Sequence, residues 1–169
     1  MFTTTSRKAA LIIGAIGAAT IATPALAGTA NSNLSVNATV TANCTVSTTA
    51  LNFGSIDTLS ASAVDGTGGV SVTCTNGSGW TASADAGSGS GATLASRRMT
   101  SGGNVLNYSL FTNAGRTTVW GDGTGGTGTV GNTGTGSAQS FTVYGRIPGG
   151  QSSAAAGTYA DTVSITISY

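Results

Sequence analysis

The chain has 169 residues, only 7 % of them charged, with six basic residues against five acidic ones, no His and 27 Gly. This composition excludes a basic nucleic-acid surface, which needs many phosphate contacts, and it excludes nucleophilic sites of the Ser-His-Asp or Cys-His kind, which need an imidazole. The five Asp are scattered, mostly beside Gly in turn-like contexts, and two Cys without a His make no zinc site, so neither an enzyme nor a cofactor- or metal-binding protein is expected.

In chain order, residues 1–27 read as an export leader. Arg7 and Lys8 precede an apolar run from Ala9 to Ile21, and Thr23-Pro24-Ala25-Leu26-Ala27 supplies a breaker followed by small residues at the −3 and −1 positions. Cleavage is expected after Ala27; the apolar run is shorter than the roughly 20 residues of a spanning helix. Beyond the leader remain Arg97, Arg98, Arg116 and Arg146 against Asp57, Asp65, Asp85, Asp122 and Asp161, a formal charge of 4 − 5 = −1. Low net charge with abundant Thr and Val favours a folded β-protein over a disordered one.

Residues 28–42 are expected to form an N-terminal extension and 43–169 the main domain. Within the extension Leu34, Val36, Ala38 and Val40 alternate with polar residues, the period of a half-buried strand. Cys44 and Cys74 are the only cysteines; export places them in an oxidising compartment, so a disulfide between them is expected. Further strands are predicted at 44–53, 70–74, 80–84, 105–112, 117–120, 141–144 and 163–169. The last carries Val163, Ile165, Ile167 and Tyr169 on one face. Turn signals at Asp65-Gly66, Asn76-Gly77, Gly102-Gly103, Asn113-Ala114-Gly115 and Pro148-Gly149-Gly150 separate these segments. Many short strands with such turns point to an all-β sandwich of the immunoglobulin type.

The tract 121–136, GDGTGGTGTVGNTGTG, predicts a flexible loop. It is not a calcium-binding repeat, because Asp122 stands alone where such a repeat needs Asp in register. Arg97-Arg98, the one charged cluster beyond the leader, predicts a solvated loop or a contact between subunits. The strand at 163–169 runs to the last residue and leaves a sheet edge in need of cover. Either a strand from a neighbour covers it, or residues 34–40 fold back on their own domain; the residues leave both open.

LNFGSID (51–57), VSVTCTNG (70–77), Arg98-Met99, LNYSLFT (106–112), VWGDG (119–123), FTVYGRIP (141–148) and AGTYADTVSITISY (156–169) occur in this order. The ordered set resembles the spore coat protein U domain, a family that includes archaic chaperone–usher pilins of the Csu type, over nearly all of the chain beyond the leader. The resemblance implies an incomplete immunoglobulin-like fold completed by donor-strand exchange. It implies partners of three kinds: identical or homologous pilin subunits, a periplasmic chaperone, and an outer-membrane usher. The product would be a surface pilus that supports adhesion or biofilm formation. By the same resemblance Leu34, Val36, Ala38 and Val40 are donor-strand plugs, Cys44 pairs with Cys74, and Val163, Ile165, Ile167 and Tyr169 form the strand that the chaperone engages. The competing expectation is a monomeric secreted module that binds carbohydrate or a surface through Trp80, Trp120 and Tyr144.

Overall fold

The computed structural model describes residues 26–169, so the expected leader lies almost wholly outside the described residues. The chain divides into two units, Met1–Ala38 and Thr39–Tyr169. In the first, residues 26–38 carry no ladder; Asn37 Nδ2 donates to Ser35 Oγ at 3.1 Å.

The second unit holds eight strands: β1 (Cys44–Thr49), β2 (Val64–Cys74), β3 (Gly79–Ala84), β4 (Arg97–Ser101), β5 (Asn104–Phe111), β6 (Val130–Thr133), β7 (Gln139–Ile147) and β8 (Ile165–Ser168). All pairings are antiparallel. One sheet has the order β1-β2-β7-β5-β4, the other β6-β3-β8. Alternation sets the inward faces: β2 buries Val70, Val72 and Cys74, β5 buries Leu106, Tyr108 and Leu110, and β3 buries Trp80, Ala82 and Ala84. These faces meet in one core cluster drawn from both sheets. Trp120 lies in it at 1 % exposure, donating its Nε1–H to the Ala82 carbonyl at 3.2 Å and meeting the Phe141 ring edge-on at 5.6 Å. A disulfide joins Cys44 to Cys74, which face each other at the first rung of the β1–β2 ladder.

Several expectations are corrected. Residues 34–40 have strand-like alternation but form no strand, because a strand exists only where a ladder partner is present. The predicted strand 44–53 stops at Thr49: residues 50–53 leave β1, and Leu51 and Phe53 drop onto glycines of β2 and β7. A Cβ on Gly145 would come within 2.7 Å of Phe53 Cζ and 2.8 Å of Leu51 Cδ1, so the glycine makes room for this descent. Asp65-Gly66 is no turn but part of β2. Residues 117–120 contribute only isolated bridges, Phe111 with Val119 and Trp120 with Gly128. The tract expected to be a flexible loop contains β6, held against β3.

The C-terminal strand is shorter than expected, Ile165–Ser168, and Val163 and Tyr169 fall outside it. It is also an edge strand, with β3 as its one neighbour. Arg97 departs furthest from expectation. The cluster Arg97-Arg98 opens strand β4, and Arg97 is 0 % exposed rather than solvated.

Candidate functional site: the groove beside the last strand

The shorter sheet has three strands over a five-stranded partner, so part of the inner face lacks a strand above it. A cleft of about 450 Å³ opens there. Val70, Leu110, Trp120 and Val143 of the buried core line it, together with Leu51, Phe53, Val163 and Ile165. A second cleft of about 730 Å³ shares Leu51, Phe53, Met99 and Tyr159 with the first and continues to Ile56, Leu106, Ile147 and Ala154.

The rim of this groove carries unused backbone groups. Asp85 N–H donates to the Ser164 carbonyl at 3.1 Å, and the β3–β8 register then pairs Ser83 with Thr166 and Thr81 with Ser168. Antiparallel ladders alternate, so these are the residues bonded to β3. The N–H and C=O groups of Ile165 and Ile167 therefore point to the free edge, while their side chains pack against the core. The arrangement can accept an extended strand: backbone groups in line at the edge, and apolar side chains exposed to the space beside it.

A polar cluster lies where the chain enters β8. Asp161 Oδ2 accepts from the Tyr108 hydroxyl at 2.7 Å, and Oδ1 accepts from Ser88 N–H at 2.7 Å, Ser88 Oγ–H at 2.6 Å and Thr162 N–H at 2.8 Å. Burial pushes the Asp161 carboxyl up, but the bonds from Ser88 and Tyr108 outweigh it and hold the group below its ordinary value. Burial, reinforced by that carboxylate, pushes the Tyr108 hydroxyl up. Beside it Arg97 donates Nε–H to the Asp85 carbonyl at 2.9 Å, Nη1–H to the Leu94 carbonyl at 2.9 Å and Nη2–H to the Trp120 carbonyl at 2.8 Å. Its burial lowers the guanidinium's affinity for its proton, and the three carbonyls satisfy the planar fork in place of water.

Of the residues singled out in the sequence, Val163, Ile165 and Ile167 are half-buried against the core and Tyr169 is 58 % exposed. Leu34, Val36 and Val40 are 87, 82 and 84 % exposed, and Ala38 is exposed too. Trp80 and Trp120 are buried and Tyr144 half-buried, so the aromatic row of the binding-module reading does not form. Sequence reasoning missed Tyr108 and Asp161 and placed Arg97 in solvent or at a subunit contact, where the structure buries it. The usable signal was Tyr108, which alternates with Leu106 and Leu110 on the buried face and so needs a partner for its hydroxyl.

The family model described as the Spore Coat Protein U domain matches residues 30–166. "Protein U" of Myxococcus xanthus is 38 % identical, over 86 % of this chain and 88 % of that relative. Among solved structures, the chaperone–tip adhesion subunit pre-assembly complex CsuC–CsuE, from the archaic chaperone–usher Csu pili of Acinetobacter baumannii, contains a similar chain. The match has a TM-score of 0.51 and 22 % identity, over 78 % of this chain and 40 % of that one. This chain thus spans two fifths of the length of the solved chain, and at that identity the likeness bears on the fold, which is immunoglobulin-like and all-β.

Proposed function

The chain belongs to the spore coat protein U domain family, and from that premise we propose that it is a structural pilus subunit that polymerises by lending residues 34–40 to the groove of a neighbour. The observation that carries this reading is the free edge of β8 standing over an open, apolar-lined groove. Residues 28–42 serve as the donor extension and 43–169 as the acceptor domain. Leu34, Val36, Ala38 and Val40 are exposed and would share one face once the segment is extended, which supports their use as plugs. Each Leu or Val seated would contribute about 1.5–3 kcal/mol, and each new ladder bond about 0.5–1.5 kcal/mol, enough for a lasting non-covalent joint. The inserted strand would make β8 an interior strand, removing the unpaired edge.

Before assembly the same edge, with Val163, Ile165, Ile167 and Tyr169, is where a periplasmic chaperone would dock, handing the subunit to an outer-membrane usher. Export of the chain through the periplasm and assembly at the cell surface follow, in support of adhesion or biofilm formation. No catalytic step belongs to this function.

The test is assembly of purified exported subunit, read as ladder size on a gel after mild and after harsh denaturation. Deletion of residues 28–40 should abolish extension while leaving chaperone binding intact, since the groove remains. Val36→Asp should do the same, because an uncompensated carboxylate in a dry groove is costly. Polymerisation of the truncated chain at the rate of the intact one refutes the proposal.

A further inference from the structure

The chain changes sheets just before β8. Ala160 is bridged to Thr100 on edge strand β4, with Thr100 N–H to the Ala160 carbonyl at 2.9 Å and Ala160 N–H to the Thr100 carbonyl at 3.1 Å. Five residues later, at Ile165, the chain is in the other sheet. Residues 161–164 cross between the two without a ladder of their own. One backbone bond, Asp85 N–H to the Ser164 carbonyl at 3.1 Å, holds the β8 end of this crossing, and side-chain bonding holds the rest: Asp161 to Tyr108 and Ser88, and Ser164 N–H to Asp85 Oδ1 at 2.9 Å.

We propose that Tyr108 and Asp161 are positioning residues for strand uptake: their hydrogen bond fixes the root of β8, so that its free edge stands in line before the groove is filled. The inference rests on the reading of the groove as a strand acceptor. Strand β8 has four residues and one neighbour, the kind of element that opens locally at little cost. An incoming strand would then have to order the edge as well as bind it, and every residue ordered costs conformational entropy. Tyr108 rises from the middle of β5, itself an interior strand, and is 5 % exposed. Its position is therefore set by the core, and its hydroxyl carries that rigidity to the crossing. A bond to a carboxylate is among the stronger ones available. Both residues line the groove, so the latch stands beside the space the strand enters.

The test uses the full exported chain carrying Val36→Asp, so that it accepts a strand but does not donate one, with and without Tyr108→Phe. Two measurements are made: hydrogen exchange over residues 158–169, and uptake of a fluorescent peptide with the sequence of residues 28–43. Loss of a hydrogen bond to a charged group should speed exchange at 161–168 about tenfold or more, with residues 70–74 and 143–147 unchanged. Because β8 opens at little cost, losing the bond makes its ordered form a minor state. Peptide uptake should then slow severalfold, by the fraction of ordered edge lost and at most by the exchange factor, while peptide release stays within about twofold, because the filled groove holds β8 from its other side. With peptide bound, exchange at 161–168 should be equal in the two chains. Uptake unchanged by Tyr108→Phe, or protection lost evenly over both sheets, overturns the role. If the chain with Tyr108 intact takes up no peptide, the acceptor reading itself falls and the role falls with it. Asp161→Asn, which keeps the shape and weakens the acceptor, must reproduce the uptake defect; if it does not, the latch is refuted even should Tyr108→Phe fold poorly.

Discussion

Replacing Arg97 by Met tests the least expected part of the core. The side chain is 0 % exposed and its three bonds, at 2.8 to 2.9 Å, reach carbonyls in three separate segments: Asp85 after β3, Leu94 in the following loop, and Trp120. Three bonds from a charged donor are worth about 1.5–3 kcal/mol each, or roughly 4.5–9 kcal/mol together. Against this stands the relief of no longer burying a guanidinium, several kcal/mol in real proteins. Met fills the volume, but the three carbonyls lose their donor. The difference is a net loss of a few kcal/mol, a large share of a typical margin of about 5–15 kcal/mol. Denaturant titration of the oxidised chain, followed by Trp emission, should show the midpoint move sharply down. Arg97→Lys should rescue little, since a compact ammonium cannot span three carbonyls set for a planar fork. A midpoint within experimental error of the unsubstituted chain would show that Arg97 is no strut.

Replacing Cys44 and Cys74 together by Ala removes a crosslink between residues 30 apart in sequence, worth about 3–4 kcal/mol in the chain-entropy model. Thermal unfolding should fall by about 10 °C, and an unchanged Tm refutes the estimate. Because the Asp161 carboxyl is held below its ordinary value in the folded chain, its contribution is complete above about pH 4 and is lost as pH falls further. Stability measured down to about pH 2 should decline, and Asp161→Asn should flatten that decline; parallel curves would refute the assignment. Gly134→Ala places a Cβ 2.5 Å from the Thr75 carbonyl oxygen and 2.8 Å from Cys74 Cβ. Backbone and a disulfide cannot yield, so a loss of about 1–3 kcal/mol is expected. Gly103→Ala, with nothing within 4 Å, is the control, and equal midpoints for the two variants would show that β6 and its flank adapt freely.

Much of the sandwich was legible because period two is a local signal. The alternations Val70-Val72-Cys74, Leu106-Tyr108-Leu110 and Phe141-Val143 each became a strand with those residues turned inward or half-buried. What failed depended on partners. Leu34 to Val40 has the same alternation but no ladder in the described chain, and residues 50–53 were read as strand although glycines in β2 and β7 let them sink away from β1. Strand β6, VGNT, has one apolar residue and only its pairing with β3 defines it. Arg97 was misread because a charged pair is usually at the surface; the carbonyls that satisfy it lie 3 to 23 residues away, and no local pattern reveals them. The groove was foreseeable as an uncovered edge, whereas the Tyr108–Asp161 contact joins residues 53 apart.

The position of the disulfide has a mechanical consequence. Cys44 begins β1, and the chain N-terminal to it leaves from Asn43. Tension applied through that segment would, without the bridge, open the β1–β2 ladder rung by rung from its first pair. With sulfur joining that first pair, the load passes covalently into Cys74 at the end of β2, a strand flanked on both sides in the larger sheet. Edge strand β1 is thereby bypassed. The load then falls on a strand bonded along both of its sides, to β1 and to β7, instead of on one bonded along a single side.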